Sequence, residues 1–485
     1  MPKQKLFLKD NKKKSKQPQA PATADEYLAA GVDFEEAGEK WRGGDAAKST
    51  RFFLRAIDCY NEALKKFPSS FDLAYNRARV QYELTQHPKL LAQLPGDLLD
   101  LLQTALESSR YALALKQDNA DVLFNTAQIL TSLAEASTES RSNSTPDTLP
   151  LLEEALELFQ RCLALQEYQY TESQTQDGAM SDDPSMETSD LPDSEEGGVS
   201  LTSDEEPPQD DRWATIVEPV TNNTLVDTVL AQLETLTLLC NLIPSSSDPT
   251  PLTFITEYSS NLLNTKLPPY LADTGREAEA HLIIANFQAA HADLSYRLQK
   301  LDFESYTTAL TNAFSPLDLT SHPEALVNQA EALLSFNSTV RTHPPPSPDP
   351  LPSRWSALTT ALSCLATAAK LPAASHLSKI HLLRGDLELH RYQLGCCHPP
   401  FPTAAANGPV LLKNAEKFYR GAAALASDGK ERVEASVKEE LVRAFRGEGG
   451  KIGELAGERE ARSVLEEALE EGLIAAEQLQ GLGIS

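Results

Sequence analysis

The sequence predicts an all-α protein of helical hairpins, and three observations carry that expectation. Long stretches place apolar residues three and four positions apart with few β-branched residues among them, the period of one helix face. No stretch alternates apolar and polar residues as a half-buried strand would. A small–aromatic–small register also recurs along the chain, marking a repeated close contact between helices.

In chain order, residues 1–24 read as a disordered basic tail, carrying Lys3, Lys5, Lys9, Lys12, Lys13, Lys14 and Lys16. Helical text with repeat character fills 25–170. Residues 171–211 hold fourteen Asp or Glu and no Lys or Arg, amid Ser, Thr, Pro and Gly. Such a segment buries too little apolar surface to offset the entropy of ordering, so a disordered acidic loop is expected. Helical text continues through 212–343, with helices at 225–242, 276–298 and 324–336. A Pro-rich linker, 344–353, separates it from C-terminal helical hairpins over 354–485. There, helices are expected at 355–370, 376–394, 411–425, 431–445 and 458–480, with a loop running to Pro409 and a helix-breaking Gly-rich stretch at 447–453.

The 485 residues carry a net charge of −27. That balance opposes direct nucleic-acid binding, which needs basic surface, and favours a basic protein client. Six cysteines in this length are no disulfide framework. The Lys-rich start leads into no apolar stretch, and no apolar run approaches the ~20 residues that span a bilayer. Cytoplasm, nucleus or both is the expected location, with the lysines a candidate import signal.

The register can be read residue by residue. Ala56, Tyr60, Ala63 and Pro68 stand at steps of 4, 3 and 5, repeated by Ala155, Phe159, Cys162, Glu167 and by Ala415, Tyr419, Ala422, Ser427. Glu107, Tyr111, Ala114 and Asn119 keep the aromatic and second small residue and lose the first. Small residues admit a second helix closely, and the aromatic fills the adjoining groove. A pair built so needs stacked neighbours to complete its core.

These residues, with Tyr27, Gly31 and Phe34 before them and Tyr75-Asn76-Arg77-Ala78 after, resemble the tetratricopeptide repeat family. The resemblance implies a helical-hairpin solenoid that grips protein segments in a groove lined by the first helix of each pair. Ala56, Glu107 and Ala155 lie 51 and 48 residues apart rather than at the family's shorter repeat, so long hairpins are expected. Groove residues implied by the resemblance are Tyr75, Asn76, Arg79, Phe124, Asn125 and Gln128. The family's clamp for acidic chaperone tails falls on Leu28, Val32, Asn76, Leu123 and Ala127, of which only Asn76 matches. Without its cations that clamp cannot offset the desolvation of a carboxylate ligand. The layout is loosely similar to histone-binding members that an acidic stretch interrupts.

Other motifs are weak. Ser194 and Ser203 precede acidic residues and are candidate phosphorylation sites, each adding about −1.5 to −2 charge. Cys396, Cys397 and His398 cluster, but adjacent cysteines chelate poorly and no second pair lies nearby; no metal is expected. Residues 447–452 depart from a phosphate loop at both ends, with Phe445 for its first glycine and Ile452 for its Ser/Thr. No nucleophile elbow, zinc-protease motif or dinucleotide fingerprint occurs, so neither an enzyme nor a cofactor is expected. The leading expectation is an assembly chaperone or escort for a basic client of histone or ribosomal-protein type. A structural subunit of a larger complex is the alternative, and an enzyme with an unrecognised helical active site the second.

Overall fold

The structure, a computed structural model, describes residues 21–139, 148–180, 219–347, 349–448, 452 and 458–482. Among the described residues every regular element is helical. The chain divides into two compact units, Met1–Gln232 with Pro269–Ala272, and Leu233–Pro268 with Asp273–Ser485.

The first unit begins with α1 (Ala24–Arg42), started by a capping box. Thr23 Oγ1 accepts from the Glu26 amide at 3.2 Å, and the Glu26 carboxylate accepts from the Ala22 and Thr23 amides. Asp45 caps α2 (Ala46–Lys66) through the Lys48 amide at 2.9 Å. There follow α3 (Phe71–Thr85), the single turn α4 (Pro88–Leu91), α5 (Leu98–Leu115), α6 (Ala120–Glu139) and α7 (Thr148–Met180). Helix α1 pairs with α2, α3 with α5 and α6 with α7, and each pair packs on the next.

The register residues Ala56, Tyr60, Ala63, Ala155, Phe159 and Cys162 are buried here, as Ala415, Tyr419 and Ala422 are in the second unit. The close approach is literal at Gly31, where a Cβ would overlap the Tyr60 ring, and Gly385 stands in the same relation to Tyr419. The register expected at Glu107, Tyr111 and Ala114 is wrong. All three are exposed, and the inward face of α5 carries Ala105, Ser109 and Ala112 two residues earlier. A conspicuous tyrosine set the phase, whereas the position that is aromatic in the other units is held here by buried Ser109, whose hydroxyl lies 2.7 Å from Thr126 Oγ1. With Ala105 in place, the spacings become 49 and 50 residues.

Helix α8 (Asn222–Leu242) contributes residues to both units. Contrary to expectation it is long and apolar enough to cross a membrane by length and composition, but 67% of that window is buried, as in a core helix. The second unit continues with α9 (Thr250–Asn261), a π-helical turn (Leu262–Lys266), α10 (Leu267–Leu271), α11 (Glu277–Arg297), α12 (Phe303–Ala313) and α13 (Pro323–Thr342). Then come α14 (Leu351–Ala368), α15 (Leu377–Cys396), α16 (Pro402–Leu425), α17 (Gly429–Phe445), α18 (Arg459–Glu471) and α19 (Ala476–Gly481). Neighbours α11–α12, α13–α14, α15–α16 and α16–α17 pack together.

Several boundaries differ from expectation. Helix α7 runs through 171–180, where the acidic loop was expected to have begun. Within it the hydroxyls of Thr171, Ser173 and Thr175 bond carbonyls one turn back. The loop expected up to Pro409 is the first part of α16. Pro402 sits at its start, where a missing N–H costs nothing, and Pro409 is tolerated inside because Ala404, Gly408 and Leu411 are buried. Helices at 250–271 and 303–313 were not foreseen, and the single helix expected over 458–480 breaks at Gly472, whose φ is +76°. The tail residues 1–20, most of the acidic segment, and much of the Gly-rich stretch lie outside the described residues, as do Ser194 and Ser203.

Candidate functional site

The first helices of the pairs in the first unit carry a connected line of polar side chains. Tyr75 on α3 is buried, and its hydroxyl accepts from Asn125 Nδ2 of α6 at 3.1 Å. One turn along α3, Arg79 donates to Asn76 Oδ1 and Glu83 Oε2, both at 3.3 Å, and to Glu35 of α1. Glu35 also accepts from the Tyr60 hydroxyl at 2.5 Å. Arg42 extends the line, donating to Glu83 Oε1 at 3.0 Å, to Glu39, and to His87 at 2.6 Å.

Of the six groove residues expected from sequence, the structure brings Tyr75, Asn76, Arg79 and Asn125 into this line. Asn76 also anchors itself, donating to Asp72 O at 2.8 Å. Phe124 turns instead toward α7, edge-on to Phe159 with 5.5 Å between centroids. Gln128 lies on α6 one turn beyond Asn125, with its Oε1 buried and without a partner among the described residues. Reasoning from sequence missed Glu35, Glu39, Arg42, Glu83 and His87. Gly31 was a usable signal for Glu35, since it stands one turn before it on the face that meets Tyr60.

The electrostatics follow from these contacts. Burial pulls the Arg79 guanidinium down, but Glu35 and Glu83 outweigh it and leave its pKa raised. Burial also lifts Glu83, helped by a hydrogen bond shared with the Glu39 carboxylate. His87 is pushed down by burial and by Arg42, which favours neutral imidazole. Arg79 and Arg42 are therefore held by carboxylates of the chain itself and are poorly placed to receive an acidic ligand.

The Tyr60–Glu35 bond has counterparts in the second unit. Tyr306 donates to Asp293 Oδ1 at 2.7 Å, with Thr339 Oγ1 at 2.6 Å on the same oxygen and Arg297 Nε at 2.7 Å on the other. Tyr419 donates to Asp386 Oδ1 at 2.8 Å, and Lys438 Nζ reaches Asp386 at 3.1 Å and Glu434 at 2.9 Å. In each case a tyrosine of one helix meets a buried acid of its partner, and a basic side chain completes the charge.

A cavity of about 550 Å³ opens among α9, α11 and α12, lined by Leu252, Phe287, His291, Leu301 and Ala313. Thr256, Gln288, Ser295 and Lys300 also line it, and His291 is engaged by Thr256 at 2.9 Å. No group of three metal-ligating side chains occurs among the described residues.

A comparison with models of known protein families finds no match. The chain is similar to the UPF0656 protein C926.02 of Schizosaccharomyces pombe, 26% identical over 428 residues, covering 86% of this chain and 87% of that protein. It is also similar to the uncharacterized protein YNL193W of Saccharomyces cerevisiae, 35% identical over 80 residues, or 16% of this chain and 14% of that one. Fold and comparisons together define an all-helical protein whose relative in S. pombe matches it along most of both lengths.

Proposed function

We propose that this chain is a protein-binding scaffold of tetratricopeptide-like helical hairpins that acts as an assembly chaperone or escort for a basic client of histone or ribosomal-protein type. The observation that carries the reading is the polar line on α1, α3 and α6. It joins amide, hydroxyl and carboxylate groups along first helices, with Tyr75, Asn76, Asn125 and Glu35 buried, and its arginines are already matched by Glu35, Glu39 and Glu83. The net charge of −27 supports the same partner, because surplus carboxylates attract and cover cationic surface. The Gly31–Tyr60 and Gly385–Tyr419 approaches, with hairpin helices of 19 and 21 residues, support a long-hairpin solenoid. Acidic residues within 171–211 add a second surface for the same client, and cytoplasm or nucleus is where such an escort works.

The test is binding of a Lys/Arg-rich ribosomal-protein or histone segment to the full chain, and to chains lacking 181–211 or carrying Asn125→Ala, across a salt series. Loss of the acidic segment should weaken binding and flatten its salt dependence. Asn125→Ala should weaken binding at all salt concentrations. Unchanged affinity and salt dependence in both variants would remove the reading.

A further inference from the structure

The cavity among α9, α11 and α12 belongs wholly to the second unit. Its volume of about 550 Å³ falls within the ~300–1,000 Å³ of small-molecule sites. Leu252, Phe287, Ala292 and Ala313 form its buried lining, and Leu301 and Ala309 are partly covered. Ala292 of α11 and Ala309 and Ala313 of α12 each reach only one carbon into the space, whereas close-packed interiors leave few voids larger than a water. A polar bond joins α9 to α11, between Thr256 Oγ1 and His291 Nε2 at 2.9 Å. The Thr256 hydroxyl donates to Leu252 O at 2.8 Å, so its oxygen accepts from His291 and the ring proton sits on Nε2. Burial pushes the His291 pKa down, which keeps the imidazole neutral at pH 7.

The charge of the cavity runs against that of the chain. No Asp or Glu lines it, although the net charge is −27. Lys300 is exposed on its lining and forms no ion pair among the described residues. The turn that carries it is pinned to α11, because the Lys300 and Leu301 amides donate to Ser295 O at 2.8 and 3.2 Å. Asp248 feels the Lys300 charge, but its Oδ1 is taken by the Thr250 amide and hydroxyl at 2.9 and 2.7 Å. Gln288 and Asn312 are exposed on the same lining, and their side-chain amides have no hydrogen-bond partner among the described residues.

We propose that this cavity binds a small amphipathic monocarboxylic acid, with its hydrocarbon chain among Leu252, Phe287, Leu301 and the alanines and its carboxylate on Lys300. An apolar lining with a few polar groups suits a ligand that is mostly hydrocarbon. One ammonium and neutral amide donors match a single charge spread over two acceptor oxygens. A phosphate would set about −1.5 to −2 charge against that one cation. A cationic ligand would meet Lys300 and find no acid on the lining.

The experiment titrates the full chain by calorimetry with decanoate, held below its micelle-forming concentration. Decanol and decyltrimethylammonium keep the hydrocarbon chain and remove or reverse the charge. One saturable site for decanoate is expected, with decanol about tenfold weaker, the loss of one charge-assisted bond, and the ammonium weaker again. Lys300→Gln, at an exposed position, should bring decanoate down to the affinity of decanol and leave decanol unchanged. Ala309→Leu fills the cavity and should abolish binding of both. A peptide C-terminus offers the same chemistry and is tested as the acetylated dipeptide of two leucines. Should the dipeptide saturate at a lower concentration than decanoate, the assignment to a small acid is overturned. The site itself is overturned by no saturable binding to the wild type, or by equal decanoate affinity in folded Lys300→Gln or Ala309→Leu protein.

Discussion

Tyr60 donates its hydroxyl proton to Glu35 across the α1–α2 pair, at 2.5 Å, with both residues buried and Arg79 on the far side of the carboxylate. Replacing Tyr60 by Phe leaves the ring in place and strips the acid of a donor. The expected loss is about 1–3 kcal/mol, the cost of an unmet buried acceptor. Urea unfolding followed by Trp41 on α1 reads it. Tyr419→Phe should act similarly on the second unit through Asp386.

Gly31→Ala tests the close approach. The added methyl overlaps the Tyr60 ring, so α1 must back away from α2 at about 1–3 kcal/mol. Gly43→Ala is the control, because nothing lies within 4 Å of a Cβ there. Its unfolding midpoint should hardly move.

His390 sets an acid limb on stability. Its ordinary pKa of 6.5 falls to about 3 in the folded chain, so below pH 6.5 the unfolded chain takes up a proton that the folded chain refuses. Stability is full above that pH and is lost as the pH drops toward 3. His390→Asn should flatten this limb, as measured by denaturant midpoints across the acid range.

Asn125→Ala removes the donor to the Tyr75 hydroxyl without emptying an apolar core position. We expect client affinity to fall by about tenfold, the worth of roughly 1.4 kcal/mol. Helical content by circular dichroism should stay the same.

Helix positions were legible where apolar residues kept a 3–4 spacing, as in α2, α6 and α15. They were misjudged where a side chain outvoted its context. Tyr111 drew the register of α5 to the wrong face because its size reads as core, whereas its hydroxyl reaches Pro68 O at 2.5 Å on the surface. Pro409 suggested a loop because the cost of an interior proline is local, while the packing of Ala404 and Leu411 that offsets it is not. For the candidate site, placing residues on first helices found Tyr75, Asn76, Arg79 and Asn125. The acids that fix those residues escaped notice. Arg79 finds Glu35 across 44 residues and Arg42 finds Glu83 across 41, and neither pairing leaves a mark in local pattern.

On the proposed function, carboxylates of this chain cover the nucleic-acid-binding cations of a basic client. The most direct measurement mixes a basic ribosomal protein or histone with labelled RNA or DNA and follows release of the nucleic acid as the chain is added. Stoichiometric release is expected, weakened by Asn125→Ala and by removal of 181–211. A nucleic acid that stays bound at excess chain, or a stable three-part complex, would contradict it.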